Sequence, residues 1–151
     1  EHLTDVITGD VERMELPFAP GEFNALIMSE VLEHLADPWH VLRRLKPHLA
    51  PGAMVLASSP NVSHRAVIWQ LLRGRFDLED SGVMDRTHLR WFTPSTYPKL
   101  FADCGYVVEE TFPLKRLSTK QRIATALVPG TKHLHIKQIC VQARKPQERI
   151  A

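Results

Sequence analysis

Two nearly unbroken apolar runs, FNALIMS at Phe23–Ser29 and AMVLASS at residues 53–59, restrict the folds open to this chain more than any other feature. A strand that is apolar on both faces must be covered on both, which is the situation of a parallel strand flanked by helices. The stretch between the two runs reads as such a helix. Asp37 and Pro38 supply an N-cap and a first helical residue, Val41, Leu42, Leu45 and Leu49 form an apolar stripe, and Arg43, Arg44 and Lys46 gather where cations favour the helix dipole. Strand, helix, strand is a right-handed crossover unit, so the class is α/β.

The alternation continues downstream. A helix is expected over about residues 62–73, stopped by Gly74, and another is capped by Thr93 and Pro94 and stopped by Gly105. Residues 106–113 (YVVEETFP) read as a strand, 118–128 as a helix ending before Gly130, and 134–143 (LHIKQICVQA) as a closing strand. Two strands so late permit an antiparallel pair at one edge of the sheet. Residues 3–9 (LTDVITG) read as one more short strand, followed at Asp10 by a loop, with no helix between it and the first crossover.

At 151 residues and 44% hydrophobic content the chain can bury one core, and no internal repeat or linker divides it, so residues 1–151 are expected to form part of one domain. No apolar stretch of ~18 residues is present, and the start lacks the layout of a signal peptide. The two cysteines, Cys104 and Cys140, read as free thiols, and a cytoplasmic location is expected. A formal net charge of +2 reads as solvated helix faces, so neither a nucleic acid nor a membrane is an expected partner.

The run at residues 9–38, GDVERMELPFAPGEFNALIMSEVLEHLADP, followed in order by LKPHLAPGAMVLASSPN, DRTHLRWFT and FADCGYVVEE, resembles the class I S-adenosylmethionine-dependent methyltransferases over about residues 5–146. The resemblance implies a Rossmann-like, three-layer sheet of strand order 3-2-1-4-5-7-6 with strand 7 antiparallel. Strands 1 and 2, with the glycine-rich loop and the ribose-binding acid, have no counterpart here. The chain is therefore expected to hold the C-terminal two-thirds of the domain, to bind the cofactor weakly by itself, and to leave its leading strand frayed, repacked or available for self-association.

The resemblance also assigns roles. Asp10 falls where the family places a carboxylate on the adenine amino group, and the amide of Val11 would face the ring; read alone, Asp10 is as well suited to capping a turn. Ser29 and Glu30 end a central strand at the carboxyl edge, where open α/β sheets hold ligands. A helical turn from Glu30 would align Glu33 and His34 on one face, either as a metal platform or as an ordinary acidic start of a helix. The E-x-x-E-H spacing resembles that with which ubiquinone-biosynthesis and small-RNA O-methyltransferases hold a divalent cation, and His88, in HLRWFT, matches the further histidine of the RNA enzymes. The implied ligand set is Glu30, Glu33, His34 and His88, expected to converge whether or not a cation is present. His88 is otherwise the candidate base, with Asp85 as its orienter or substitute, and His64 is a weaker candidate. The expected activity is methyl transfer to a hydroxyl of a small molecule or saccharide read by the loop at residues 73–86, the alternative being a non-catalytic methyltransferase-like interaction module.

Overall fold

The computed structural model describes residues 5–147. It contains four strands, β1 (Phe23–Ser29), β2 (Leu49–Pro60), β3 (Val107–Pro113) and β4 (Gln138–Arg144), and four α-helices, α1 (Pro38–Leu45), α2 (Arg65–Leu72), α3 (Thr96–Asp103) and α4 (Thr119–Leu127). The sheet order is β1-β2-β4-β3. β1 runs parallel to β2, with Ser29 opposite Ser58, while β4 is antiparallel to both β2 and β3. This is the fourth-fifth-seventh-sixth sequence of strands that the resemblance implies.

One face of the sheet carries the core. Val55, Ala57, Val141 and Ala143 from the central strands meet Leu42 of α1 and Tyr97, Leu100 and Phe101 of α3, all nearly or fully excluded from solvent. The Tyr106 hydroxyl donates to the Leu42 carbonyl at 2.9 Å, tying the start of β3 to α1. Lys46 donates to the carbonyls of Cys104 and Gly105, satisfying acceptors at the end of α3. On the opposite face Ile27 is 67% exposed, so that surface of β1 lacks a helical cover among the described residues. Among those residues, too, no helix is long and apolar enough to cross a membrane. Cys104 and Cys140 are free and buried, and burial pushes both thiols up.

Local signals set several boundaries closer than the apolar pattern does. Asp37 caps α1 by accepting from the His40 amide, and Ser118 and Gln121 close a reciprocal capping box on α4. The helix expected from residue 62 begins instead at Arg65, because the buried Asn61 accepts from both the amide and hydroxyl of Ser63 and holds a turn there. α3 likewise starts later than Thr93 and Pro94, with Ser95 as its N-cap. The last strand starts at Gln138, after a 3-10 turn at Lys132–His135.

The leading strand is a correction. Residues 5–9 form no strand, and residues 3 and 4 of that expectation lie outside the described part. A strand needs a neighbour, and among the described residues the chain is anchored only in the loop that follows, at residues 11–14. Arg44 of α1 donates to the carbonyls of Val11 at 3.1 Å and Met14 at 2.5 Å, and the Glu12 carboxylate accepts from the amides of Ala36 and Asp37. The loop at residues 11–14 is thereby stapled to α1 and the residues before it.

Candidate active site

Ser29 and Glu30 lie where β1 ends, and Pro60 where β2 ends, so the first candidates sit at the carboxyl edge of the parallel pair. Glu30 is the one non-glycine residue with positive φ among the described residues, at 53°. A left-handed residue cannot begin a helical turn, and it breaks the expected alignment with Glu33. The Glu30 Oε1 instead accepts from the Ser58 hydroxyl at 2.8 Å, and Ser58 and Ser29 oxygens lie 3.3 Å apart. Glu30 therefore stands outside the expected four-ligand set.

The other three residues converge. Glu33 and His34 belong to the 3-10 turn Leu32–His34, and the chain at residues 87–90 is held over that turn by the amides of Leu89 and Arg90, which both donate to the Glu33 carbonyl. One ligand atom from each of Glu33, His34 and His88 falls within 4.8 Å of the others. The two imidazoles meet edge to face with centroids 4.8 Å apart, and Trp91 packs on His88 at 5.6 Å.

Glu33 is the unusual member. It is 1% exposed, and neither carboxylate oxygen has a hydrogen-bond partner among the described residues. Burial lifts its pKa from 4.5 to about 7, with the charge of Glu30 adding to the rise; its own amide and the Ser59 hydroxyl oppose it without reaching hydrogen-bonding geometry. Ser59 and Tyr97 hydroxyls are buried and unpartnered as well, and the tyrosine is pushed well above its usual range, first by burial and then by Glu33. An unpaired buried polar group costs ~1–3 kcal/mol, so three together mark a place shaped for something besides folding.

Each histidine is held at its Nδ1. His88 Nδ1 lies 3.2 Å from the Val83 carbonyl, and His34 Nδ1 lies 3.3 Å from the Thr87 carbonyl and 3.1 Å from its hydroxyl. A proton on each Nδ1 donates to those carbonyls and leaves each Nε2 as a bare lone pair, the arrangement common behind metal-bound imidazoles. Asp85 does not orient His88, as expected from their proximity in sequence. It accepts from the Thr87 amide at 2.8 Å and hydroxyl at 2.7 Å, so its reach is to His34 through Thr87, and those two bonds hold its carboxyl below the usual range. Thr87, Val83, Ser58 and Ser59 were not legible as site residues; the TH pair at 87–88 is the only local hint, and it is a weak one.

The donor set, two imidazoles and a buried carboxylate without partners, fits a divalent cation in residue type. The fit to a nucleoside cofactor is narrower. Asp10 Oδ1 accepts from the Glu12 amide at 2.9 Å and Oδ2 lies 3.5 Å from Arg13, which is the geometry of a turn cap. Its side chain is still 53% exposed and able to accept from a ligand.

A mixed sheet ordered β1-β2-β4-β3, with its polar groups collected at the carboxyl edge, defines the Rossmann-like α/β class. Within that class, residues 3–111 match the family described as methyltransferase domain, and the chain belongs to it. The ubiquinone biosynthesis O-methyltransferase of Psychrobacter arcticus is 25% identical over 96 residues, 62% of this chain and 37% of that protein. Its counterpart from Aeromonas salmonicida is 23% identical over 91 residues, 60% of this chain and 38% of the relative. The chain thus matches less than two fifths of the length of these relatives. Among solved structures, a SAM-dependent methyltransferase of Methanosarcina mazei superposes with a TM-score of 0.60 at 15% identity, covering 93% of this chain and 66% of the other. One from Aquifex aeolicus gives 0.57 at 12% identity, covering 93% and 54%. At these identities the structural likeness speaks for the fold.

Proposed function

We propose that this chain serves S-adenosylmethionine-dependent methyl transfer to a hydroxyl acceptor, with Glu33, His34 and His88 holding a divalent cation beside the acceptor oxygen. The observation that carries this reading is the buried, unpartnered Glu33 carboxylate within ligand distance of two imidazoles whose Nδ1 atoms are already engaged. Bound there, a divalent cation supplies Lewis acidity that lowers the pKa of a coordinated hydroxyl, while S-adenosylmethionine supplies a sulfonium-activated methyl group.

The residues of the chain do the rest. With a proton on each Nδ1 donated to the Thr87 and Val83 carbonyls, His34 and His88 would offer Nε2 to a cation, and Trp91 packs against the His88 ring from one side. Without a cation His88 Nε2 is the acceptor for the hydroxyl proton, and the Val83 carbonyl stabilises the imidazolium that forms. Ser29 and Glu30, the latter fixed by Ser58, would border the methyl-bearing end of the cofactor, and Asp10 and the Val11 amide would hold its adenine. The identified relatives act in ubiquinone biosynthesis as O-methyltransferases by name, which favours an oxygen acceptor over nitrogen or carbon.

Cobalt(II) provides the test, since its visible spectrum reports imidazole and carboxylate ligation. The chain should take up one equivalent, His34→Ala and His88→Ala should each weaken uptake ~10–100-fold, and Glu30→Gln should not. Methyl transfer by the full protein to a phenolic acceptor should then fall with chelation. Cobalt uptake that ignores both histidine substitutions would overturn the metal assignment.

A further inference from the structure

The carboxyl edge holds a second feature that the metal cluster does not use, a cavity of about 430 Å³. Its size is that of a small-molecule site. It is lined where all four strands meet that edge: Glu30 after β1, Pro60 at the end of β2, the segment after β3 and the segment before β4. Val83 also lines it, and the Val83 carbonyl accepts from His88, so the cavity adjoins the histidine pair.

Its charge is one-sided. Lys115, Arg116 and Lys137 face it from two segments separated in sequence, and none of the three forms an ion pair among the described residues. Glu30 is the single carboxylate in the lining, and its Oε1 is engaged by Ser58. His64 and His135 complete the polar wall, and His64 is held below its usual range, first by burial and then by Arg65 and Lys137. The amino end of α4, at Ser118, adds its partial positive charge to the same wall.

Resting on the methyl-transfer reading, we infer that this cavity is the acceptor subsite and that it selects acceptors carrying a phosphate or carboxylate group, gripped by Lys115, Arg116 and Lys137 while the hydroxyl points towards His88. Solvated lysines on a helix face would diverge into water, whereas these converge from separate segments on one concavity, where the single carboxylate, Glu30, pairs with none of them and is engaged by Ser58. Arginine matches either anion through two parallel N–H donors, and lysine adds a point charge. A neutral polyol offers these groups nothing that water does not.

Calorimetric titration of the chain with inorganic pyrophosphate, citrate and glucose separates the two anion chemistries from a neutral sugar. The expected result is saturable 1:1 binding of pyrophosphate or citrate, with the tighter of the two naming the group, and no binding of glucose. Arg116→Gln and Lys137→Gln should each raise Kd about 10-fold or more, while Arg43→Gln, on the exposed far end of α1, should leave it unchanged. All three positions are exposed, so the variants should retain the wild-type melting temperature. Absence of saturable anion binding, or equal weakening by Arg43→Gln, overturns the inference. Cobalt(II) titration of the unsubstituted chain keeps the two readings apart: no cobalt uptake beside saturable anion binding removes the metal assignment alone, and the reverse removes the anion subsite alone.

Discussion

Replacing Glu33 by Gln tests whether this carboxylate is retained at a cost to folding. Glu33 is 1% exposed, neither oxygen has a partner, and its pKa lies near 7 where 4.5 is usual. The folded chain therefore holds the Glu33 proton more tightly than the unfolded chain. Stability contributed by this group is fully present below pH 4.5 and is lost as the pH climbs to about 7. At ~1.4 kcal/mol for each pH unit, the rise from 4.5 to about 7 corresponds to a loss of about 3 kcal/mol. Gln has the shape of the protonated acid and cannot ionise, so it avoids that loss while leaving the same buried polar atoms in place. Glu33→Gln should accordingly be close to wild type at pH 4.5 and more stable by up to about 3 kcal/mol at pH 9, a rise in Tm of roughly 6–12 °C for a chain of this length. Thermal melts of both proteins across that pH range, in the presence of a chelator, provide the measurement. Equal stability at pH 9, or a wild-type stability that is flat between pH 5 and 8, would refute the argument that burial and not folding advantage accounts for this residue.

Other outcomes follow from the same geometry. Because a cation needs the Glu33 carboxylate ionised, cobalt(II) affinity at constant ionic strength should fall about tenfold per pH unit below pH 7, read from its absorption spectrum. Asn61→Ala should cost ~2–4 kcal/mol in urea unfolding, since the buried amide donates to the carbonyls of His133 and Ile136 at 2.8 and 2.7 Å and both would be left unsatisfied. Tyr106→Phe should cost only ~1 kcal/mol, because it removes one neutral hydrogen bond to Leu42 and keeps the packed ring. Asp37→Ala should lower stability by a similar ~1 kcal/mol through loss of the α1 cap, and Asp37→Asn should recover most of it.

The sequence alone determined the features that repeat or that local chemistry enforces. The apolar runs at Phe23–Ser29 and around Val55 read as strands and are strands, although the Ile27 face of the first is left without a helical cover among the described residues; Asp37-Pro38 opens a helix as read, and the helix expected over 118–128 is α4 at Thr119–Leu127. Motif order then supplied the strand order that the structure shows. What the tertiary structure decided was which side chains meet. Glu30, Glu33 and His34 share a spacing that predicts one face, yet the left-handed backbone at Glu30 turns that carboxylate towards Ser58 and leaves Glu33 with the histidines. Asp85 neighbours His88 along the chain but acts on His34, because Thr87 stands between them. Residues 5–9 have the composition of a strand but pair with no strand among the described residues, and the chain is tied to α1 only after them, through Glu12 and Arg44. Lys115 and Arg116 read as part of a diffuse basic excess and Lys137 as a position in the closing strand, and only the meeting of four strand ends at one edge turns them towards a common cavity. Spacing and propensity act over a turn or two of chain, whereas a site is assembled from segments that are brought together by burial of the core.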